Sequence, residues 1–301
     1  MKKISETIVF FGSGPVAAAS LEKLVNSFSI EAVITKPQPP NHKYEFPVLN
    51  TANKHSLRIL TVSTKSDLEK LFNEQFFKSK IGLVIDYGII ISQPVIDYFP
   101  LGIVNSHFSL LPKLRGADPI SFAILSGRPK TGVSLMLISQ GLDEGPILSQ
   151  STIEIDSSMT NPRLTKDLIN LSQSLLEKTL PEYVKGKINP KPQLGQPSYS
   201  RKLSKQDSYL DWSKPAALLE REVRAYYEWP RSKAKLGEHR VIVTKAHTIP
   251  GVGKPGSIVA RDKQLGVQTA DEILIIDKLI PQGKKEMPAS AFLAGYSIKS
   301  V

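Results

Sequence analysis

The stretch Ile8-Val9-Phe10-Phe11-Gly12-Ser13-Gly14-Pro15-Val16-Ala17 reads as a strand, a glycine turn and the opening of a helix. Four consecutive apolar residues suit a strand covered on both faces, as in a parallel sheet. Pro15 suits a first helical turn, where a missing N–H costs nothing. The turn also satisfies the pattern G-x-G-x-x-(G/A), in which glycines let a dinucleotide phosphate approach a helix N-terminus. Such a site needs an acidic residue at the end of the second strand to hold a ribose. That strand ends in Thr35-Lys36-Pro37, where the lysine would suit a 2′-phosphate. A dinucleotide-dependent oxidoreductase is therefore one reading, and the expected one is a turn that packs the first helix close to the sheet.

Working outward, Ile30–Thr35, Arg58–Thr61, Ile81–Ile85, Gly102–Ser106 and Thr131–Ile138 read as further strands. Val16–Asn26, Ser66–Lys78, Pro94–Phe99 and Pro119–Leu125 read as helices between them. This alternation predicts an α/β domain built on a doubly wound, mostly parallel, Rossmann-like sheet. A long helix, Asn161–Val184, closes it. The stretch after it carries Pro190, Pro192 and Pro197 with little apolar periodicity, as a linker does. After a helical piece at Ala216–Tyr226 come short β-rich runs at Arg240–Ala246, Gly256–Ala260, Leu265–Thr269 and Glu272–Leu279. They predict a small β-barrel of the oligonucleotide-binding (OB-like) type. The expected division is 1–184 for the α/β domain, 185–204 for the linker and 205–301 for the barrel.

Composition narrows the function classes. The chain has 301 residues, 41% hydrophobic and 22% charged, and no apolar run of bilayer-spanning length. The polar start, Met1 to Thr7, runs directly into the first strand, so a cytoplasmic protein without a leader peptide is expected. The absence of cysteine excludes disulfides, thiolate metal sites and a cysteine nucleophile. The net charge of +11 is uneven: 21 basic against 17 acidic residues up to residue 200, and 18 against 11 beyond it. A polyanion would exploit such a carboxyl-terminal excess through counterion release, although a solubilising surface also produces one.

A second segment, Asn105-Ser106-His107-Phe108-Ser109-Leu110-Leu111-Pro112-Lys113-Leu114-Arg115-Gly116, follows an apolar strand. Its polar groups are thus expected at the carboxyl edge of the sheet, where ligands bind in open α/β folds. Asn105 and His107 are two apart and project to one side. Asp143 follows a later strand, and in a parallel sheet the two strand ends are expected to be neighbours. A lone histidine beside an apolar strand is usually structural. An amide, an imidazole and a carboxylate together supply an oxyanion donor, a proton carrier and an orienting anion, the requirements of acyl transfer between nitrogens. His42, His55, His107, His239 and His247 lack metal-ligand spacing, so no metal is expected.

The segment N-x-H-x-S-L-L-P at Asn105–Pro112 and the later Leu142-Asp143-Glu144-Gly145 resemble the folate-dependent formyltransferase family. Arg115-Gly116-Ala117-Asp118-Pro119-Ile120 and Thr131-Gly132-Val133 resemble its branch acting on initiator methionyl-tRNA. Beyond residue 198 so do Tyr199-Ser200-Arg201-Lys202-Leu203-Ser204, Asp211-Trp212, Trp229-Pro230 and Pro281-Gln282-Gly283-Lys284-Lys285. The resemblance implies transfer of the formyl group of 10-formyltetrahydrofolate to the methionyl α-amine. It implies Asn105, His107 and Asp143 as the catalytic set. Folate contacts are implied at Tyr87, Gly88, Ile89 and Ile90, at Ser109, Leu110, Leu111 and Pro112, and at Gln140, Gly141 and Leu142. Contacts with tRNA are implied at His42, Lys43, Arg115, Arg201, Lys202 and Lys205. A monomer without metal or membrane attachment is expected. The loop Lys36–Tyr44 is shorter and less basic than in that branch, and Asp86, Phe108 and Asp118 depart from its usual residues. Formylation of a sugar nucleotide or another small amine is the rival within the family, and a non-catalytic RNA-binding relative is a further one.

Overall fold

The computed structural model describes residues 4, 6–40, 46–261 and 264–298. Two compact units are present. One comprises Met1–Gly116, Thr131–Ile153 and Thr165–Tyr199, the other Ala117–Lys130, Glu154–Leu164 and Ser200–Val301. They interleave along the chain where a contiguous division was expected. The secondary structure runs β1 (Thr7–Phe11), α1 (Pro15–Ser27), β2 (Ser29–Thr35), α2 (Pro47–Lys54), β3 (Ile59–Thr61), α3 (Lys65–Glu74), β4 (Gly82–Val84), α4 (Gln93–Asp97) and β5 (Ile103–His107). It continues with β6 (Arg115–Gly116), α5 (Pro119–Leu125), β7 (Lys130–Leu137), β8 (Ile147–Glu154), α6 (Asn161–Val184) and β9 (Tyr199–Ser200).

The first unit is built on a sheet of order β3-β2-β1-β4-β5-β7-β8, the doubly wound, mostly parallel arrangement expected. The pairs β2–β3, β1–β2, β1–β4 and β4–β5 are parallel and β5–β7 is antiparallel. Val9, Phe11, Ala32, Ile34, Val84 and Ile103 share one core cluster with Phe72 and Phe99, so β1 is buried as its unbroken apolar run predicts. Gly12 has the packing role expected of it. A Cβ there would lie 2.6 Å from that of Ala17 and 2.7 Å from the Phe10 ring. Helix α3 starts on a reciprocal Thr64–Asp67 capping box and ends at Glu74, four residues short of the expected Lys78. The short helix α2 and the strand β8, which alternates half-buried and exposed residues after Leu148, were not foreseen.

In the second unit α5 packs on α7 (Ala216–Ala225). The sheet strands are β10 (Ser232–Leu236), β11 (His239–Ile249), β12 (Ile258–Arg261), β13 (Gln264–Gln268), β14 (Ile273–Pro281) and β15 (Met287–Pro288), with α8 (Ala289–Gly295) after them. The order is β10-β11-β14-β13-β12, antiparallel throughout, with β15 against β14. This curled antiparallel sheet is consistent with the small barrel-like domain expected. Leu236, Val241, Val243, Leu265, Leu274, Ile276, Leu279 and Phe292 fill its core.

Candidate active site

Strands β4 and β5 run parallel with Val84 opposite Asn105, so the loop after β4 and the end of β5 emerge side by side at the carboxyl edge of the sheet. Asn105 and His107 lie on one face of β5 and both reach Asp143. The Asn105 amide Nδ2 donates to Asp143 Oδ1 at 3.3 Å, and His107 Nδ1 lies 3.6 Å from Asp143 Oδ2. The backbone N–H of Gly116 donates to the same Oδ2 at 2.7 Å. The other ring nitrogen, Nε2, is 2.9 Å from the carbonyl oxygen of Leu114. His107 and Asp143 are nearly enclosed, with side chains 7% and 13% exposed.

The route by which Asp143 arrives differs from expectation. Strands β5 and β7 are antiparallel, with Val104 opposite Leu137 and His107 opposite Ser134, so β7 ends beside the start of β5. The strand ends are therefore not neighbours, and the loop after β7 carries Asp143 back along β5. Asp143 sits at φ 50°, a left-handed conformation that aspartate tolerates better than most residues. Gly145 fits this return because a Cβ there would lie 1.7 Å from the carbonyl oxygen of Leu137.

The chemistry follows from donors and acceptors. Both ring nitrogens of His107 face acceptors, a carbonyl and a carboxylate, and only the doubly protonated ring can donate toward both. The 2.9 Å bond engages Nε2, whereas 3.6 Å from Nδ1 to the carboxylate is an ion-pair separation longer than a hydrogen bond. Nδ1 is thus the ring nitrogen that no hydrogen bond engages among the described residues. Asn105 uses one amide hydrogen on Asp143, which leaves the second for a developing oxyanion.

The remaining expected folate contacts fall into two sets. Ile90 and Leu142 are large apolar side chains exposed to 76% and 61%. Gln140 and Gly88 are exposed and Gly141 half-buried. Ile89 is buried, and the Tyr87 ring packs edge-on against Phe11 beneath the loop, where burial pushes its hydroxyl pKa up. Ser109, Leu111 and Pro112 are buried and Leu110 is half-buried. The Ser134 hydroxyl donates to the Ser109 carbonyl and accepts from the Leu111 N–H, while Gln150 Nε2 donates to the Leu111 carbonyl. Ser134 and Gln150 thus brace this wall from β7 and β8, a role with no local sequence signal.

Of the expected tRNA contacts, His42 and Lys43 lie outside the described residues. Arg115 is largely enclosed, its guanidinium donating to Glu144 Oε1 at 2.9 Å and to Gln193 Oε1. Arg201 makes a two-pronged pair with Asp207, whose carboxyl is held well below the usual range chiefly by that hydrogen bond. Lys202 and Lys205 are exposed. The second unit also contains a cleft of about 1010 Å³ lined by Arg128, Arg221, Arg224, Lys245, His247 and Lys278. Its acids are engaged: Asp156 with Arg163, Glu220 with Arg224, Asp277 with His247 and Glu286 with Lys278. Arg128, Arg221 and Lys245 make no ion pair among the described residues, so the unmatched charge is positive. Among the described residues no acidic, histidine and cysteine cluster could hold a metal ion, and no helix is long and apolar enough to cross a membrane.

Residues 7–180 match the family model described as formyl transferase, and residues 202–297 the one described as formyl transferase, C-terminal domain. The methionyl-tRNA formyltransferase of Roseiflexus castenholzii is 33% identical over 306 residues, covering 97% of this chain and 96% of its own. That of Chloroflexus aurantiacus is 34% identical over 298 residues, covering 96% of each. The fold is similar to the N-formyltransferase from Helicobacter canadensis, solved in complex with folinic acid and dTDP-3-aminofucose. There the TM-score is 0.68 at 17% identity, over 90% of this chain and 98% of that one. With both family domains in order, relatives alike from end to end, and an amide, imidazole and carboxylate meeting at the sheet edge, this chain belongs to the formyl transferase family.

Proposed function

We propose that this protein transfers the formyl group of 10-formyltetrahydrofolate to the α-amino group of initiator methionyl-tRNA, with the first unit performing the chemistry and the second binding the tRNA. The observation that carries the reading is the convergence of Asn105 and His107 on the Asp143 carboxylate, at 3.3 and 3.6 Å. The neutral methionyl amine attacks the formyl carbon, a C–N bond forms, and the carbonyl oxygen takes up negative charge. The free Asn105 amide hydrogen and the His107 Nδ1–H stabilise that oxyanion, while Asp143 opposes the positive ring. Collapse breaks the bond to the folate nitrogen, which leaves with a proton while the amine loses one, an exchange His107 can relay. The exposed Ile90 and Leu142 suit an aromatic donor, since burying such side chains favours binding by about 1–2 kcal/mol each.

The tRNA reading is supported by the end-to-end likeness to methionyl-tRNA formyltransferases and by the unmatched positive charge of the second unit's cleft. The protein acts as a cytoplasmic monomer without a metal. The deciding experiment supplies 10-formyltetrahydrofolate with charged initiator tRNA, and in parallel with an amino-sugar nucleotide, to wild type, Asn105→Ala and His107→Ala proteins. Formylmethionyl-tRNA from wild type, reduced about 100-fold or more in both variants, is expected. Exclusive use of the sugar nucleotide, or equal activity in all three proteins, refutes the reading.

A further inference from the structure

Residues 191–198, in the segment expected to be a linker, are part of the first unit and hydrogen-bonded into it. Lys191 exchanges both backbone hydrogen bonds with Ile147, at 2.7 and 2.9 Å. Gln193 Nε2 donates to the carbonyl of Asp143 at 2.7 Å and to that of Gly145 at 2.9 Å, and its Oε1 accepts from Arg115 at 2.9 and 3.2 Å. Ser198 Oγ accepts from the N–H of Leu114 at 3.0 Å, its carbonyl accepts from that of Arg115 at 2.9 Å, and its own N–H donates to Pro112 at 3.2 Å.

The places gripped are the two groups that face the His107 ring nitrogens. Leu114 offers its carbonyl to Nε2, and Asp143 its carboxylate to Nδ1. Both residues are left-handed, at φ 58° and 50°, a conformation rare for side-chain-bearing residues and less tolerated by leucine than by aspartate. Backbone conformations of that kind persist where surrounding contacts over-determine them, and they concentrate at functional sites. Gln193 and Ser198 supply those contacts, one at each acceptor. Gln193 also ties Arg115, which flanks Leu114, to the Asp143 loop, so a single side chain fixes the spacing of the two.

We propose that residues 191–198 orient the catalytic imidazole from both sides, and that Gln193 is a positioning residue for formyl transfer. This rests on the proposed reaction for its kinetic consequence but not for its geometry. A Gln193→Glu substitution separates the two functions of the side chain. The carboxylate still accepts from Arg115, but it opposes the carbonyls of Asp143 and Gly145 with an oxygen instead of an N–H. Gln193→Leu removes both functions, and Ser198→Ala frees the Leu114 side.

The test measures kcat and KM of wild type, Gln193→Glu, Gln193→Leu and Ser198→Ala, with imidazole ¹⁵N spectra of His107 recorded in the free proteins. The expected result is a fall in kcat of roughly 10- to 100-fold in both Gln193 variants, as misplacement of a catalytic group by an ångström produces. KM for the formyl donor changes by a smaller factor than kcat, because Gln193 supports the folate-side residues Gln140–Leu142 only indirectly, through the carbonyls of Asp143 and Gly145. The His107 resonances are displaced in all three variants. Wild-type kcat in both Gln193 variants, or a fall matched by the loss of folded protein with His107 resonances unmoved, overturns the proposal. A wild type that makes no formylmethionyl-tRNA, while Gln193→Glu still displaces the His107 resonances, overturns the proposed reaction and leaves the positioning intact.

Discussion

Removing the Asp143 carboxylate separates stability from chemistry at this site. In Asp143→Ala two half-buried donors lose their acceptor, the Gly116 N–H at 2.7 Å and the Asn105 amide at 3.3 Å. A buried donor left unpaired costs about 1–3 kcal/mol, and the longer, half-buried bond belongs at the low end, giving about 2–4 kcal/mol together. Alanine at φ 50° adds about 1 kcal/mol, because its Cβ crowds the backbone without the local hydrogen bonds open to aspartate. The total, about 3–5 kcal/mol, is a large fraction of a typical stability of about 5–15 kcal/mol. Asp143→Asn keeps the backbone tolerance and one carbonyl oxygen for Gly116. Its amide then faces the Asn105 amide, which must rotate to offer its oxygen, at a cost of about 1 kcal/mol. Both substitutions remove the anion opposite His107 Nδ1 and withdraw an Asn105 donor from its alignment, so kcat should fall about 100- to 10,000-fold in each. Urea denaturation followed by far-ultraviolet circular dichroism measures the first quantity, and acid-quenched formation of formylmethionyl-tRNA at saturating donor the second. An Asp143→Asn protein with kcat within about fivefold of wild type would refute the assigned role, since orienting and charge-pairing groups contribute far more.

Acid titration should report on the Arg201–Asp207 pair. Because the folded-state pKa of Asp207 is depressed, the pair's contribution is present above the unfolded value of 3.8 and disappears as pH falls below it. The urea midpoint gap between wild type and Asp207→Asn should therefore close on going from pH 5 toward pH 2, and a gap that widens contradicts the assignment. Gly132→Ala should lower the melting temperature, because the new Cβ would lie 2.0 Å from the backbone carbonyl oxygen of Ser151 and 2.6 Å from Leu110. The expected loss is about 1–3 kcal/mol, and calorimetry showing an unchanged transition would disprove it. Lys202→Ala and Lys245→Ala should each weaken tRNA binding and reduce the slope of log affinity against log salt by about 0.9. An unaltered slope in a filter-binding titration removes that residue from the phosphate-contacting set.

The alternation of strands and helices in the first half was legible because buried parallel strands are unbroken apolar runs, as Ile8–Phe11 shows. Gly12 could be read in two ways, and its contact with Ala17 and Phe10 shows the packing one. The end of α3 was misplaced because Phe76 and Phe77 continue an apolar pattern after the helix has stopped at Glu74. Strand β8 was missed because one solvent-facing side leaves few apolar residues. At the site, Asn105 and His107 were legible from spacing and position. The path of Asp143 was not, because strand direction is set by pairing between distant residues.

The sequence by itself determined which residue types stand at the proposed site, their place at the end of a buried strand, and the uneven positive charge, since these are local patterns and sums over composition. Tertiary structure alone decided that β7 runs against β5, that Arg115 and Arg201 are held by Glu144 and Asp207, and that the proline-bearing segment binds the loops around His107. Proline and scattered polar residues carry no apolar period, so a mobile linker and a segment anchored by side-chain hydrogen bonds look alike until the partners of Gln193 and Ser198 are brought beside them.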